Sequence, residues 1–198
     1  MSRNKFLITQ TLLSSWNWIY KIDNGYEEFM KTLNKEPIQP KLAMLEGQQF
    51  ENMVYAHSDG AELDQEHKWA DGIKKVSEVT KGGVFQVKLS KNMVIDNVEF
   101  VLFGILDVLK AGEIFDVKFS KTYKHGKYLD SPQHPMYFEL CPEVDKFTYL
   151  ISDGKDLYKE KYERYDTQPI EIEIKQFMDF LERQNLVDLY CQKWQSKY

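Results

Sequence analysis

The amino-acid sequence predicts an α+β fold, in which a central mixed and mostly antiparallel β-sheet is flanked by helices. Three apolar runs of strand length, residues 84–89, 100–106 and 114–119, follow one another with turn residues between them. Apolar residues recur at helical spacing before this region, in 9–56, and again from Glu173. A chain of 198 residues with 42% hydrophobic residues is long enough to bury one sizeable core.

The N-terminal part of the chain predicts three helices. Thr9 is a suitable N-cap for the first, which ends at the turn 23–25, and residues 26–33 predict a second short helix. Residues 41–56 predict an amphipathic third helix, in which Gly47 indicates close approach of another backbone. The residues expected on the apolar side of this third helix are Leu42, Leu45, Met53 and Val54.

The next region predicts a meander of three antiparallel strands. The acidic stretch 58–71 predicts a loop and then an exposed helix to about Thr80, and residues 81–83 a turn. The first strand, 84–89, leads through a reversal at 92–97 into the run 100–106. Residues 110–113 then reverse the chain into the third strand, 114–119.

The second and third strands carry charges that a buried strand does not usually tolerate. If Ala111 and Gly112 form the turn, Asp107 faces Asp116, whereas a longer loop would shift this pairing. Opposed carboxylates repel each other unless a cation binds between them, and Lys118 points from the same face as Asp116. This arrangement predicts a Mg²⁺ or Mn²⁺ site for phosphodiester chemistry. The cation would lower the pKa of a bound water, and the lysine would orient that water or offset the negative charge of the transition state.

The remainder of the chain completes the sheet and covers it. Ser131 and Pro132 signal a helix start, although Pro135 places that start one turn later or makes the first turn irregular. Residues 146–151 and 157–165 predict two strands joined by the turn 152–155. Closing helices follow from Glu173, with a break near Asn185.

Three motifs resemble the PD-(D/E)xK nuclease superfamily, and within it the RecB-like and phage-type exonuclease branch. They are G-I-L-D at 104–107, D-V-K at 116–118 and Q-H-P-M-Y at 133–137, and the resemblance covers roughly residues 45–137. The resemblance implies a restriction-endonuclease-like core. It also implies a metal-dependent deoxyribonuclease, an exonuclease or end-processing enzyme of recombination, repair or phage replication.

The resemblance also implies roles for individual residues. Glu51, at the end of G-Q-Q-F-E, matches the position of a third metal ligand beside Asp107 and Asp116. Glu46, one turn earlier, is the competing candidate for this ligand. The alternative is that Glu51 is a solvated helix residue. Gln133 would position the attacking water or the scissile phosphate, or else cap its helix. Tyr137 would pack beside Gln133 near the nucleic acid, or else belong to the core. The catalytic set implied is Glu51, Asp107, Asp116, Lys118 and Gln133.

The charge distribution predicts a local track for DNA. A net charge of −5 argues against general coating of nucleic acid, but residues 118–127 contain four lysines and no acid. Lysines interleaved with aromatic residues suit phosphate contact and base stacking, and a solvated loop with anchored aromatics is the alternative. The nucleic-acid set predicted is Lys121, Tyr123, Lys124, Lys127 and Tyr137.

The organisation predicted is a single nuclease-like domain over 1–198, with an N-terminal helical segment 1–40, a core 41–165 and closing helices 166–198. No run of about 18 apolar residues is present, which predicts a soluble, cytoplasmic protein without a membrane. Cys141 and Cys191 alone build no zinc or iron–sulfur site, so no four-cysteine cluster is expected. The partners predicted are DNA and, secondarily, a recombination or single-strand-binding protein. The alternative function is an inactive nuclease-fold module that binds nucleic acid or a protein.

Overall fold

A computed structural model describes residues 5–196 and contains one mixed six-stranded sheet with helices on both faces. The α+β prediction is therefore confirmed. The strands are β1 (Lys5–Thr9), β2 (Val84–Ile95), β3 (Val98–Lys110), β4 (Glu113–Phe119), β5 (Lys146–Ser152) and β6 (Leu157–Glu163). The helices are α1 (Gln10–Asn17), α2 (Gly25–Leu33), α3 (Leu42–Ser58), α4 (Ala70–Thr80), α5 (Gln133–Leu140), α6 (Ile170–Arg183) and α7 (Val187–Lys193).

Strand β3 is the centre of the sheet. β2 pairs with it antiparallel over nearly its whole length, from Val84 opposite Leu109 to Ile95 opposite Val98. Its other edge is shared, because β1 runs parallel to residues 99–103 and β4 runs antiparallel to residues 108–110. Residues 104–107 therefore have no strand partner on this second edge in the part of the chain that the structure describes. The sheet opens at this gap.

The turn that sets the register between β3 and β4 has the predicted two residues. Ala111 and Gly112 have φ values of 50° and 75°, and positive φ at both central residues is the signature of a type I′ turn. Lys110 consequently faces Glu113, and Val108 faces Phe115. The predicted register is confirmed as far as the ladder extends.

Two apolar clusters hold the helices to the sheet. Phe50 of α3 and Ile73 of α4 pack with Val117 and Leu150 on one face. The larger cluster lies on the other face and joins α1, α2, α5, α6 and α7 to residues such as Leu102 and Phe147. Burial of this apolar surface is the main stabilising contribution to the fold.

Several boundary predictions were wrong. β2 continues to Ile95 and turns at Asp96 and Asn97, rather than reversing over 92–97, because both turn residues adopt positive φ. The N-terminal segment, expected to be helical, contains β1. β1 was missed because five residues paired in parallel with a distant strand have no local turn signal.

The helical surfaces also differ from prediction in places. Leu42 and Leu45 are exposed, so only the second half of α3, with Phe50 and Val54, contacts the core. No atom lies within 4 Å of a Cβ built on Gly47, so this glycine permits no close backbone approach. Helix α4 is not wholly exposed, since Ile73 and Val76 are buried.

No helix in residues 5–196 has the length and apolar character needed to cross a membrane.

Candidate metal centre

Asp107 and Asp116 lie where β3 and β4 separate. The ladder ends at Val108 and Phe115, one step before the two aspartates would pair. Instead, Oδ2 of Asp107 accepts a hydrogen bond from the backbone N–H of Val117 at 2.9 Å. The two carboxylates are thus held at the gap in the sheet, as their positions on either side of the Ala111-Gly112 turn predict.

Asp116 is the most deeply buried acid of this site, with 0% exposure. Its neighbours Phe115 and Val117 pack on the α3–α4 face, so strand alternation directs its side chain to the α5 face. There the Gln133 side-chain amide donates a hydrogen bond to Oδ1. Nζ of Lys118 lies 2.6 Å from Oδ2, yet Oδ2 has no partner in hydrogen-bonding geometry. The Lys118 ammonium compensates the charge of this buried oxygen, whose hydrogen-bonding capacity the protein does not otherwise use.

Lys118 is the positive charge of the site, and its side chain is 32% exposed. Burial lowers its pKa, but the negative charges of Asp116 and Asp107 outweigh this and raise the pKa above the ordinary lysine value. The side chain is therefore an ammonium at neutral pH. It faces the carboxylates because residues two apart on a strand share a face.

The pKa of Asp107 is also raised, which for a carboxyl group disfavours the charged form. Burial raises its pKa well above the ordinary aspartate value, and the charge of Asp116 raises it further, against the opposing effect of Lys118. Glu51 adds a smaller repulsion in the same direction, which places that carboxylate within electrostatic reach. The site as a whole therefore favours an additional positive charge.

Glu51 is near the aspartates but is held by other groups. Its Oε1 accepts a hydrogen bond from the Tyr55 hydroxyl at 2.7 Å, one turn further along α3. Within residues 5–196, no group of three or more His, Cys, Asp or Glu side chains is arranged to hold a metal ion. The third ligand implied by the resemblance is therefore not assembled with the other two. The competitor Glu46 contacts Lys121 at 2.7 Å instead.

The residues present nevertheless fit a divalent cation. Mg²⁺ is commonly held by only one or two carboxylates, with waters and substrate phosphates filling its remaining positions. Asp107 and Asp116 supply two carboxylates, and Oδ2 of Asp116 is a buried acceptor without a hydrogen bond. These two side chains are the ones that would hold Mg²⁺ or Mn²⁺.

Gln86 is a residue of this site that sequence reasoning missed. It stands opposite Asp107, at the one place where the pairing between β2 and β3 skips a residue. Its φ of 54° is left-handed, which is unfavourable for a residue with a side chain. From this backbone its Nε2 donates to the Tyr55 hydroxyl at 3.2 Å and approaches Oε1 of Glu51 at 3.4 Å. The alternating sequence around Gln86 gives no sign of this distortion.

Helix α5 brings Gln133 to the site and buries Tyr137. The helix begins at Gln133, so Pro135 falls within its first turn. The backbone N–H of Gln133 donates a hydrogen bond to the Ser131 hydroxyl at 3.3 Å. The side chains of Gln133 and Tyr137 interact with each other, as their spacing of four residues predicts. The Gln133 side chain binds Asp116 and does not cap its helix.

Tyr137 belongs to the core. Its ring is buried against Gly104, and its hydroxyl donates to the Ile105 carbonyl at 2.8 Å. That bond satisfies a β3 carbonyl at the gap, where no strand can do so. A buried ring has no free face for a base, so the placement of Tyr137 in the nucleic-acid set is not supported.

Residues 120–131 form a loop, here named the lysine loop, that joins the strand of Lys118 to the helix of Gln133. Lys121, Lys124 and Lys127, named the loop lysines, are exposed. Lys121 pairs with Glu46, and Lys127 donates to the Ser120 hydroxyl at 3.1 Å. The lysines therefore present positive charge along the surface beside the candidate metal centre.

A buried carboxylate, Glu160, fixes the lysine loop. It accepts hydrogen bonds from the Tyr123 hydroxyl at 2.7 Å and from the N–H groups of Gly126 and Tyr128 at 3.2 and 3.1 Å. The Tyr162 hydroxyl also donates to it. The loop aromatics are thus anchored while the lysines stay exposed, which agrees with the alternative of a solvated loop with anchored aromatics. Contact of these lysines with DNA stays a prediction. Glu160 was missed because an acid between lysines in an edge strand resembles a solvent-facing residue.

Comparisons with known proteins inform the fold only. No protein-family model and no curated protein matches this chain. Among solved structures, the crystal structure of SSO0001 is similar, with a TM-score of 0.53 and 11% sequence identity over 91% of this chain and 78% of that chain. Similarity at this level of identity shows a shared fold and does not bear on activity.

Proposed function

We propose that this protein is a Mg²⁺- or Mn²⁺-dependent nuclease that hydrolyses phosphodiester bonds in DNA. The observation that carries the proposal is the pair of partly buried Asp107 and fully buried Asp116, with the Lys118 ammonium 2.6 Å from an Asp116 oxygen that lacks a hydrogen bond. Buried acids that repel each other beside a cation are typical of functional sites. The D-V-K motif predicts the same chemistry.

Each residue then has a distinct role. Mg²⁺ or Mn²⁺ supplies a Lewis acid that activates water and neutralises phosphate charge. Asp107 and Asp116 hold the cation, and the Lys118 ammonium donates to the attacking water or to a phosphate oxygen whose charge increases in the transition state. Gln133 donates a hydrogen bond to Oδ1 of Asp116 and so fixes the orientation of this carboxylate. Glu51, oriented by its hydrogen bond from Tyr55, would accept a hydrogen bond from a water in the site.

The finer proposals concern substrate and context. The loop lysines, held beside Lys118, are suited to contact phosphates of the substrate strand. By resemblance, the activity is that of an exonuclease or end-processing enzyme of recombination, repair or phage replication. Such an enzyme acts in the cytoplasm and works with a recombination or single-strand-binding protein.

One observation favours a second candidate function. No three-ligand group is present in the described residues, and Glu51 is occupied by Tyr55. A nuclease-fold module that has lost catalysis and binds DNA or a protein would show such an incomplete site.

Cleavage assays separate the two functions. The protein is incubated with linear and circular DNA, each single- and double-stranded, with Mg²⁺, Mn²⁺ or EDTA. We expect metal-dependent degradation that Asp107→Asn abolishes and that Asp153→Asn, a change in the D-G-K turn at 153–155, leaves intact. Degradation of linear DNA alone indicates an exonuclease. The absence of cleavage under every condition, with DNA binding retained, would assign the protein to the second candidate function.

A further inference from the structure

A cleft opens directly beside Lys118 and Gln133 and has a volume of about 270 Å³. One wall is α1 and the turn after it, including Trp18 and Lys21, and the other is the lysine loop, including Lys127 and Tyr128. Gln133 is buried and Lys118 is one third exposed, so these two residues lie at the base of the cleft. A ligand in this cleft therefore contacts the candidate catalytic lysine.

The walls of the cleft combine positive charge with aromatic surface. Trp18 is 49% exposed, which is unusual for tryptophan because its large apolar ring is normally buried. Lys118, Lys21 and Lys127 line the cleft, against one acid, Asp130. Aromatic rings with lysines beside them are the features that bind the bases and phosphates of single strands.

The lysine-loop wall is preorganised. Tyr128 stacks on Tyr149 with a centroid distance of 4.4 Å and an interplanar angle of 18°, and its N–H is held by Glu160. Binding a ligand against a wall that is already ordered costs less conformational entropy than ordering a mobile loop. This wall therefore needs little rearrangement to receive a substrate.

An ion pair between Lys21 and Asp130, 3.1 Å apart, links the two walls. Their side chains are 44% and 74% exposed, so water screens the pair and it contributes little to stability. A phosphate can replace Asp130 as the partner of Lys21. The ion pair is therefore no barrier to a polyanionic strand.

The volume of the cleft sets the size of its ligand. Pockets for drug-sized molecules have volumes of about 300–1,000 Å³, and this cleft lies just below that range. It accommodates about one nucleotide and not a base pair. A larger cavity of about 420 Å³ lies beyond Ser131 and is lined by Asp130, Asp166 and Glu173, which makes it unsuitable for phosphate.

We propose that the cleft is a subsite for one unpaired nucleotide adjacent to the scissile bond. Trp18 stacks on its base, and Lys21 and Lys127 contact its phosphates. This inference rests on the proposed nuclease function and adds to it a requirement for an unpaired nucleotide at the site of cleavage. A duplex end must therefore separate by at least one base pair before it occupies the subsite.

Tryptophan fluorescence in EDTA tests binding without cleavage. Single-stranded oligothymidylate should quench the wild-type protein, and Trp18→Phe should lose most of the quenching, because the other three tryptophans lie outside the cleft. Trp18→Ala should weaken the affinity measured by anisotropy of labelled oligothymidylate by roughly 5- to 150-fold, the range found for loss of one base–aromatic stack. Tyr20→Ala, an exposed aromatic two residues away that does not line the cleft, should bind normally.

The salt dependence of oligothymidylate binding tests the contact between Lys21 and a phosphate. Lys21→Ala should reduce the slope of log affinity against log salt by about 0.7 for a single strand. Lys31→Ala is the matched control, since Lys31 has the same 3.1 Å ion-pair distance and similar exposure but does not line the cleft. It should leave the slope unchanged.

The outcomes separate this inference from the proposed function. Unchanged oligothymidylate affinity in Trp18→Ala would overturn the subsite, as would an equal loss of affinity for single-stranded and blunt duplex DNA. Wild-type cleavage of DNA would still support the nuclease. Conversely, Trp18-dependent binding without any metal-dependent cleavage would remove the nuclease function and leave the cleft as a binding site for an unpaired nucleotide.

Discussion

Gly104→Ala adds a single methyl group at the point where α5 contacts the centre of the sheet. A Cβ at this position would lie 2.6 Å from Cε1 of Tyr137 and 2.9 Å from Cδ1 of Leu140. Ordinary contact begins near 3.4 Å, so the Tyr137 ring must move by about 0.8 Å. Because Gln133 lies one turn earlier on the same helix, this movement disturbs its bond to Asp116.

The energetic cost follows from these contacts. Overpacking of a core costs about 1–3 kcal/mol, and loss of the Tyr137 hydrogen bond to Ile105 adds about 0.5–1.5 kcal/mol. A total of about 1.5–4.5 kcal/mol lowers the melting temperature by roughly 3–18 °C in a chain of this length. Differential scanning calorimetry measures the shift, and DNA cleavage should fall with it.

Gly47→Ala is the matched control for this change. Gly47 lies inside α3, and nothing lies within 4 Å of its added Cβ. Alanine should therefore stabilise the protein by about 1 kcal/mol through helix propensity. If Gly104→Ala melts within about 1 °C of the wild type while Gly47→Ala is stabilised, α5 does not pack on β3 in the way these distances require.

Three further predictions concern the surroundings of the site. Gln86→Gly should raise the free energy of unfolding by about 0.5–1 kcal/mol in a chemical denaturation measurement, because glycine relieves the strain of a left-handed backbone. A destabilisation of more than about 1 kcal/mol would contradict this. Burial acts to raise the pKa of Glu160, but the hydrogen bonds that this carboxylate accepts outweigh burial and lower the pKa. The contribution of Glu160 to stability is therefore complete above the ordinary glutamate pKa of about 4.3, and it is lost as the pH falls through the pKa of Glu160 in the folded protein. Hydrogen exchange at Gly126 and Tyr128 should accelerate only in that acid range, and equal protection in Glu160→Gln would refute the role. Replacing the three loop lysines with alanine should reduce the salt slope of duplex binding by about 0.9 for each phosphate that these lysines neutralise in the wild type, whereas an unchanged slope would make them ordinary surface charges.

The parts of the fold that depend on local patterns could be predicted from the sequence. The β3–β4 hairpin and the D-V-K motif are encoded within a short stretch of the chain, from Val98 to Phe119. The Thr9 cap is equally local, since its hydroxyl accepts from the Leu12 N–H as the N-cap rule requires. The predictions of these elements were correct because each element depends on residues close together in the chain.

The parts that failed depend on distant contacts. β1 exists because β3 offers its free edge, and the parallel pairing of β4 with β5 crosses the intervening α5. Glu160 reaches the lysine loop from a strand that follows α5 and β5 in the chain. Gln86 adopts its conformation opposite Asp107, which no local sequence rule indicates.

The central claim is that Lys118, Asp107 and Asp116 form a catalytic metal centre, and Lys118→Met tests it most directly. Methionine keeps much of the side chain's packing and removes the charge, while Lys155→Met makes the same change in the D-G-K turn. With Mn²⁺ binding measured by calorimetry, Lys118→Met should bind the ion as well or better, because an ammonium 2.6 Å from Asp116 opposes a cation. Its cleavage of DNA should fall by at least about 100-fold, and Lys155→Met should cleave normally. Wild-type cleavage by Lys118→Met with the ion bound would contradict the account.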